Sequence, residues 1–560
     1  MKGEILIIIP ARGGSKGIPG KNLRLINDKP MIYYAITTAK KIPHSKVIVS
    51  TEDPLIKEVA KIYGAEVLLR PEELARDNVT LEPVIIDVIS KINFGDIIIT
   101  LQPTSPLLKA TTLEKALNYF LQEKFDTLVS VRKKTHLFWI EANGKFFPFY
   151  KERANRQFLK PVYEETGGLV ITYRDVILKN RSRFGVKIGI YSLNEDESLD
   201  IDSWEQLIIA ELIMKRLKIA IRTEGSHEMG LGHIYRALTI ANLFPEHEVI
   251  FLTNPEKKPG YMKLKEHTFP IELYRSEDEL LKKIDQISPD ILINDILDTG
   301  EKYIDKLKQK GIFVVNFEDV GSGSRKADLL INALYEWSGR EENAFFGYRY
   351  ECLREEFYMF PIKDSIREKV ENILITFGGT DPSNLTKRVI KILPDILPED
   401  VRVTVITGLG YKHTDELKNL IVNLSEKGYQ IEMISGSPIM AKYMFEADLI
   451  ITSNGRTVYE AVSSATPTLV IAQNPREMTH TFAKICRGIK FLGLASELKD
   501  NEIMQVVREL LTDYNKRKQM NTLLIPYARE IRKGRERIKK LIIEKFEEWK
   551  DATGAKNKNW

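Results

Sequence analysis

Short apolar runs alternate with amphipathic stretches along this chain, and that alternation restricts it to α/β architectures. In the first part the apolar runs fall at residues 5–9, 46–50, 66–69, 96–101, 127–131, 168–172 and 186–192. Helical periodicity fills most of the gaps, as at 31–41, 55–63 and 81–92. Strands alternating with helices predict a mostly parallel sheet covered on both faces, with ligands beyond the carboxyl ends of its strands. The chain has 560 residues, more than one core supports, so roughly two to four domains are expected.

The first run, 5–9, leads into a loop with glycines at 13, 14, 17 and 20 that carries Arg12, Lys16 and Lys21. A helical pattern begins at about residue 30. Glycines let backbone N–H groups approach an anion closely, and the cations neutralise it. The loop therefore reads as a phosphate cradle, with a merely basic surface turn as the plainer alternative. Its spacing matches neither Gly-x-Gly-x-x-Gly nor the P-loop.

Net charge is +5 and gives no case for nucleic acid. Two cysteines, Cys352 and Cys486, exclude a disulfide framework or a cysteine zinc cluster. The run 5–9 is too short for a signal peptide's apolar core, and no run is long enough to span a bilayer. A cytoplasmic enzyme with no membrane partner is the expectation.

A helical pattern at 203–216 leads directly into a new strand at 218–222, with no Gly/Ser or Pro spacer, which implies a semi-rigid joint. Strand-like runs follow at 248–253, 290–297, 312–318 and 328–334. The pattern restarts at 372 and continues through 401–408, 430–434, 448–452 and 468–472. Two Rossmann-like lobes facing a cleft are predicted, with the switch near 360. Residues 502–549 read as helical, and 530–550 as an amphipathic terminal helix packing back on a lobe. The expected domains are 1–215, 217–360 and 361–550, with 551–560 a disordered tail.

Several motifs of the first part occur in a specific order: Arg12-Gly-Gly-Ser-Lys-Gly with Lys21-Asn22, Ser50-Thr-Glu-Asp53, Leu69-Arg-Pro71, Leu74-Ala-Arg-Asp77, Leu101-Gln-Pro-Thr-Ser-Pro-Leu107 and Leu199-Asp-Ile-Asp202. In this the chain resembles the acylneuraminate cytidylyltransferases over nearly all of 1–215. Such enzymes join a nine-carbon 2-keto sugar acid to CTP and release pyrophosphate. The resemblance implies that Arg12, Ser15, Lys16 and Lys21 meet the triphosphate, with Lys21 and Asp202 catalytic. It places Asn22, Arg70 and Thr80 near the cytidine and Gln102 against the sugar. Asp200 and Asp202 would hold Mg²⁺, and a homodimer through this domain is implied. Independently, carboxylates at i and i+2 on a strand project to one face, which suits a hard cation. The chain departs from the family at Tyr163-Glu-Glu-Thr-Gly-Gly168, where many members carry an arginine followed by Pro-Asn-Gly. Arg156 remains as a partner for the sugar carboxylate.

The second part carries Gly230-x-Gly-His233-x-x-Arg236, Phe317-Glu-Asp319, Arg354-Glu-Glu-Phe-Tyr358, Phe377-Gly-Gly-Thr-Asp381 and Ser453-Asn-Gly-Arg-Thr-Val-Tyr-Glu460. These resemble the UDP-sugar hydrolase of pseudaminic acid synthesis, a relative of the GT-B glycosyltransferases. The resemblance implies that His233 is the general base or orients the water. Gly378, Gly379 and Thr380 would approach the pyrophosphate. The segment Ser453, Asn454 and Thr457 would open a helix whose positive end favours the diphosphate, and Glu460 would take the ribose hydroxyls. No cofactor is implied for this half. For Arg236, a phosphate contact and an exposed salt bridge are equal alternatives.

Together these readings make a bifunctional enzyme of nonulosonic acid synthesis, with CTP, a nonulosonic acid and a UDP-sugar as its small-molecule partners. Its second half has two rivals: a UDP-sugar glycosyltransferase and a non-catalytic regulatory lobe.

Overall fold

The computed structural model describes residues 3–226, 230–336, 342–398, 400–408, 410–437 and 439–554. It divides into two units, Met1–Arg216 and Leu217–Trp560. The architecture is mixed α/β, a nucleotidyltransferase-like domain followed by a GT-B-like pair of lobes.

In the first unit seven strands lie in the order Ile188–Ser192, Thr127–Lys134, Val162–Tyr173, Ile97–Thr100, Ile5–Pro10, Ser45–Thr51, Glu66–Leu69. All pairings are parallel except those of Val162–Tyr173, which runs antiparallel to both neighbours. Ile5–Pro10 is buried on both faces: Ile5, Ile7 and Ile9 enter one core, and Leu6 and Ile8 the other. That is why its sequence is continuously apolar rather than alternating. The sheet delivers the 11–22 loop, the 101–106 turn and the segment from Asp53 to the same kind of edge, the carboxyl ends of parallel strands.

The apolar-run reading misses several short strands, among them Ile271–Leu273, Ala344–Phe346 and Ile489–Leu494, and a hairpin in the first unit. Trp139–Ala142 and Lys145–Pro148 form a separate antiparallel hairpin around Asn143 and Gly144, both with positive φ (53° and 72°). Asn-Gly is the favoured pair for such a turn. Its aromatic residues stand in solvent: Trp139, Phe146, Phe147 and Phe149 are all about half exposed or more.

The second unit holds two wholly parallel sheets. The first has the order Ile271–Leu273, Glu248–Thr253, Lys218–Thr223, Ile291–Asp295, Phe313–Phe317, Leu329–Asn332, Ala344–Phe346. The second has the order Gln430–Ser435, Arg402–Thr407, Asn372–Thr376, Leu449–Ser453, Thr468–Ala472, Ile489–Leu494. The helical carboxy-terminal region comprises Asp500–Thr512, Tyr514–Arg532 and Gly534–Thr553. The last of these returns to the first lobe, where Ile538, Ile542 and Phe546 join the core around Phe313. Their i, i+4, i+8 spacing makes one apolar stripe, and each buried side chain contributes roughly 1.5–3 kcal/mol. This helix extends to Thr553, into the stretch expected to be a tail; residues 555–560 of that expected tail lie outside the described residues. Among the described residues no helix is long and apolar enough to cross a membrane.

Candidate active sites

In the first unit the three loop cations are held by two carboxylates. Arg12 and Lys16 both pair with Asp77, at 2.7 and 3.0 Å. These contacts, Lys16's foremost, hold the Asp77 carboxyl below the usual range. Lys21 donates from Nζ to Asp202 Oδ1 at 2.9 Å and to the Ile201 carbonyl at 3.0 Å. Asn22 is buried and donates to the Arg12 carbonyl at 2.8 Å, which closes the loop on itself. Glu52 accepts the Gly13 N–H at 2.6 Å and lies 3.9 Å from Arg70, which is fixed to the Ser50 carbonyl. At Gly17 a Cβ would stand 2.5 Å from the Asp202 carbonyl, so only glycine lets the loop approach the 199–202 segment this closely.

The two aspartates differ. Asp200 is largely buried. Burial pushes its carboxyl up and Asp202 adds to this, while Thr104, Lys21 and the Gly167 backbone oppose it. Its Oδ1 is buried without a hydrogen-bond partner. A Cβ on Gly167 would lie 3.0 Å from Asp200 and 3.1 Å from the Gln102 amide carbon, so Gln102 and Asp200 flank one small space. An orphaned carboxylate oxygen beside a second carboxylate fits Mg²⁺, which takes one or two carboxylates and completes its shell with substrate phosphates and water. Among the described residues no group of three or more acidic, histidine or cysteine side chains forms a metal cage.

Not every predicted residue joins this site. Ser15 sits in the loop itself. Thr80 is exposed at the start of the helix Leu81–Lys91. Arg156 is exposed in the short turn Arg156–Phe158, with Thr135 at 3.5 Å as its hydrogen-bond acceptor rather than a group of the loop. At the departure from the family pattern, Glu164 is neutralised by Arg132 directly across the strand pair at 2.7 Å and by Lys134 on the diagonal at 3.2 Å.

In the second unit a cleft of about 690 Å³ opens between the two lobes. Gly378, Gly379, Thr380, Ser453, Thr457 and Glu460 line it from the second lobe; Gly230, Gly232, Tyr235 and Arg236 line it from the first. His233 is not part of that described wall. Its ring is anchored through Nδ1, 2.7 Å from Asp295 Oδ1, and its side chain remains 14% exposed. Asp295 is fully buried at the end of the strand Ile291–Asp295, and Arg236 holds its other oxygen at 2.7 Å. Burial alone would raise that carboxyl, but Arg236 and then His233 outweigh it and leave it at about 2. Arg236 is thus neither exposed nor free, since it also meets Glu318 at 3.2 Å.

Two predictions for the nucleotide side need correction. Asn454 does not line the cleft. It is buried, and its amide donates to the carbonyls of Glu477 (2.7 Å) and His480 (3.2 Å), which fixes the following turn. The helix after Ser453 is only Thr457–Ser463, seven residues, too short for much of the macrodipole to accumulate. Glu460 lines the cleft but is held by Arg354 at 3.0 Å, and Arg354 also pairs with Glu356 at 2.6 Å. Arg354 and Arg456 lie inside the motifs and Glu351 just before one, without their roles being revealed; Asp295 and Glu477 lie outside every motif, and no signal in the sequence points to them.

Residues 6–145 match the family described as Cytidylyltransferase. The CMP-N,N'-diacetyllegionaminic acid synthase of Legionella pneumophila is 33% identical over 38% of this chain and 97% of its own length. The chain belongs to the cytidylyltransferase family. Residues 372–537 match the Glycosyltransferase family 28 C-terminal domain. The spore coat polysaccharide biosynthesis protein SpsG of Bacillus subtilis is 24% identical over 312 residues, 53% of this chain and 90% of its own. That stretch is longer than the first unit, so the similarity extends into the second. An uncharacterised protein of Methanocaldococcus jannaschii is 36% identical over 46% of this chain, which spans 56%, about half, of that relative's length.

Proposed function

We propose that the first unit transfers CMP from CTP to a nine-carbon 2-keto sugar acid. The observation that carries this reading is the meeting of Lys21 with Asp202, together with the unpartnered Oδ1 of Asp200. A hydroxyl of the sugar acid attacks the α-phosphorus, and the bond to the β-phosphate breaks with release of pyrophosphate. Arg12, Lys16 and Lys21 neutralise the charge on the phosphates, and Gln102 faces the sugar. Mg²⁺ held by Asp200 and Asp202 would add positive charge at the phosphates when bound. Similarity to the legionaminic acid enzyme supports the nonulosonate class. Pyrophosphate release from CTP with pseudaminate, legionaminate and neuraminate tests it, and release with none of them refutes it. A homodimer through the exposed aromatic hairpin and a cytoplasmic location belong to the same reading.

We infer that the second unit binds a UDP-sugar in its cleft and breaks the bond from the anomeric carbon to the β-phosphate oxygen. In the hydrolase reading, His233 takes the proton of the attacking water, its ring fixed through Nδ1 by Asp295. The match to glycosyltransferase family 28 favours the alternative, in which an acceptor hydroxyl replaces water. Incubating the full chain with UDP-diacetamido-trideoxyhexose separates the cases. Free sugar plus UDP means hydrolysis, a glycosylated acceptor plus UDP formed only when an acceptor is added means transfer, and neither leaves a binding lobe.

A further inference from the structure

Resting on the reading of the second cleft as a UDP-sugar site, we propose that Arg456 is the catalytic cation that hydrogen-bonds the departing diphosphate. When the sugar–oxygen bond breaks, its electron pair stays on the β-phosphate oxygen, so negative charge grows there and needs a positioned donor. The glycine loop 378–380 supplies N–H groups but no charge, and the short helix Thr457–Ser463 adds little.

Three arginines line the described wall of the cleft, and two are fully committed. Arg236 is buried against Asp295 and Glu318. Arg354 is divided between Glu356 and Glu460. Lys258 and Lys263 belong to the first lobe, and Lys263 already pairs with Glu266 at 2.6 Å. Arg456 differs. It stands between Gly455 and Thr457, both cleft residues, in the lobe that carries the glycine loop. Its Nη2 pairs with Glu351, whereas Nη1 is buried without a hydrogen-bond partner, 4.0 Å from Glu318. A guanidinium with one arm anchored and one donor unspent is preorganised for a phosphate oxygen. Its stem also reaches the first lobe, where a Cβ on Gly232 would lie 3.8 Å from its Cδ. The residue therefore sits where the nucleotide loop and the His233 helix approach each other.

Glu351, the anchor, is itself buried. Burial raises its carboxyl to about 7 despite Arg456 and Arg236, with Glu318 and Glu460 adding to the rise. With Nη2 kept on Glu351, the other arm can meet a phosphate oxygen without leaving that carboxyl a bare buried anion.

The test compares UDP and uridine binding to the full chain by calorimetry, together with UDP-sugar turnover, in the wild type, Arg456→Gln and Arg456→Lys. Wild type should prefer UDP over uridine strongly. Arg456→Gln should lower that preference at least about tenfold and kcat by about 10²–10³, with uridine affinity kept within about twofold. Arg456→Lys should keep most of the preference, because the charge remains, and it serves alone if the glutamine variant does not fold. An unchanged preference in Arg456→Gln, or equal loss of UDP and uridine, overturns the proposal. So does an Arg456→Lys variant whose preference for UDP over uridine falls at least about tenfold below that of the wild type. Wild type with no preference for UDP would instead overturn the UDP-site reading beneath it.

Discussion

The Nδ1 atom of His233 and the Oδ1 atom of Asp295 lie 2.7 Å apart, with Arg236 closing on the same carboxylate from the other side. Asp295 therefore fixes which ring nitrogen of His233 is left to accept a proton. Asp295→Asn keeps the shape but leaves Arg236 buried with only Glu318. It should cost about 3–5 kcal/mol in stability and lower turnover in the second unit by about 10²–10⁴-fold. The pH dependence has a definite sign. A carboxyl held at about 2 contributes stability fully above its ordinary value of about 3.9 and loses it as pH falls towards about 2. The stability gap between wild type and Asp295→Asn, measured by urea unfolding, should shrink over that window. A gap that is constant down to pH 2 contradicts the assignment.

Asp202→Asn should reduce CTP-dependent pyrophosphate release at least about tenfold. It removes one carboxylate of the Asp200/Asp202 pair and the anchor of Lys21. UDP-sugar cleavage by the same chain should not change. Wild-type pyrophosphate release in this variant would remove both roles at once.

Gly17→Ala tests the loop by geometry rather than by charge. The added Cβ would meet the Asp202 carbonyl at 2.5 Å, so the loop must retreat from the 199–202 segment. The KM for CTP should rise several-fold while thermal stability changes little, because Gly17 is exposed. An unaltered KM would mean that Lys21 and Asp202 need not meet for CTP to bind.

The sequence was most legible where chemistry and backbone need coincide. Glycines with Arg12, Lys16 and Lys21 after an apolar strand predict a basic glycine loop at a strand's carboxyl end, and that placement is what the fold has. The partner of Arg12 and Lys16 was not legible, because Asp77 lies on another loop and only the fold brings it to 11–22, as it brings Glu52 to the Gly13 N–H. Asp295 was hidden for the same reason: a carboxylate ending an apolar strand reads as a solvated terminus until Arg236 is seen to cover it. Asn454 shows the opposite error, since a polar residue inside a ligand-like motif serves the turn at 474–480. The hairpin at 139–148 was readable in principle from Asn143-Gly144, but its half-exposed aromatics obscure the alternation that marks a strand.

Those aromatics lead to the fourth prediction. Trp139, Phe146 and Phe147 stand on a hairpin outside the main cores, and exposed apolar clusters mark association sites. Changing Phe146 and Phe147 together to Asp should convert a dimer to a monomer in light scattering at micromolar concentration, with the fold retained by circular dichroism. A wild-type monomer, or a double variant that stays dimeric, excludes the hairpin as the contact.

Glu460 separates nucleoside recognition from diphosphate recognition. It lines the cleft from the second lobe while Arg354 holds it at 3.0 Å, so its free oxygen has a fixed position. If it accepts from the ribose hydroxyls, Glu460→Ala should weaken UDP and uridine alike, by about 1–3 kcal/mol. His233→Ala, in the other lobe, should leave both affinities within a few-fold and nearly abolish turnover. The decisive measurement is a cycle between Glu460→Ala and loss of the ligand's hydroxyls. Dideoxyuridine should bind the wild type and the variant equally, because the two deletions remove the same interaction. Additive losses would show that Glu460 acts elsewhere, by holding Arg354 and with it the loop from Glu351 to Glu356, and the ribose would then need another partner in the cleft.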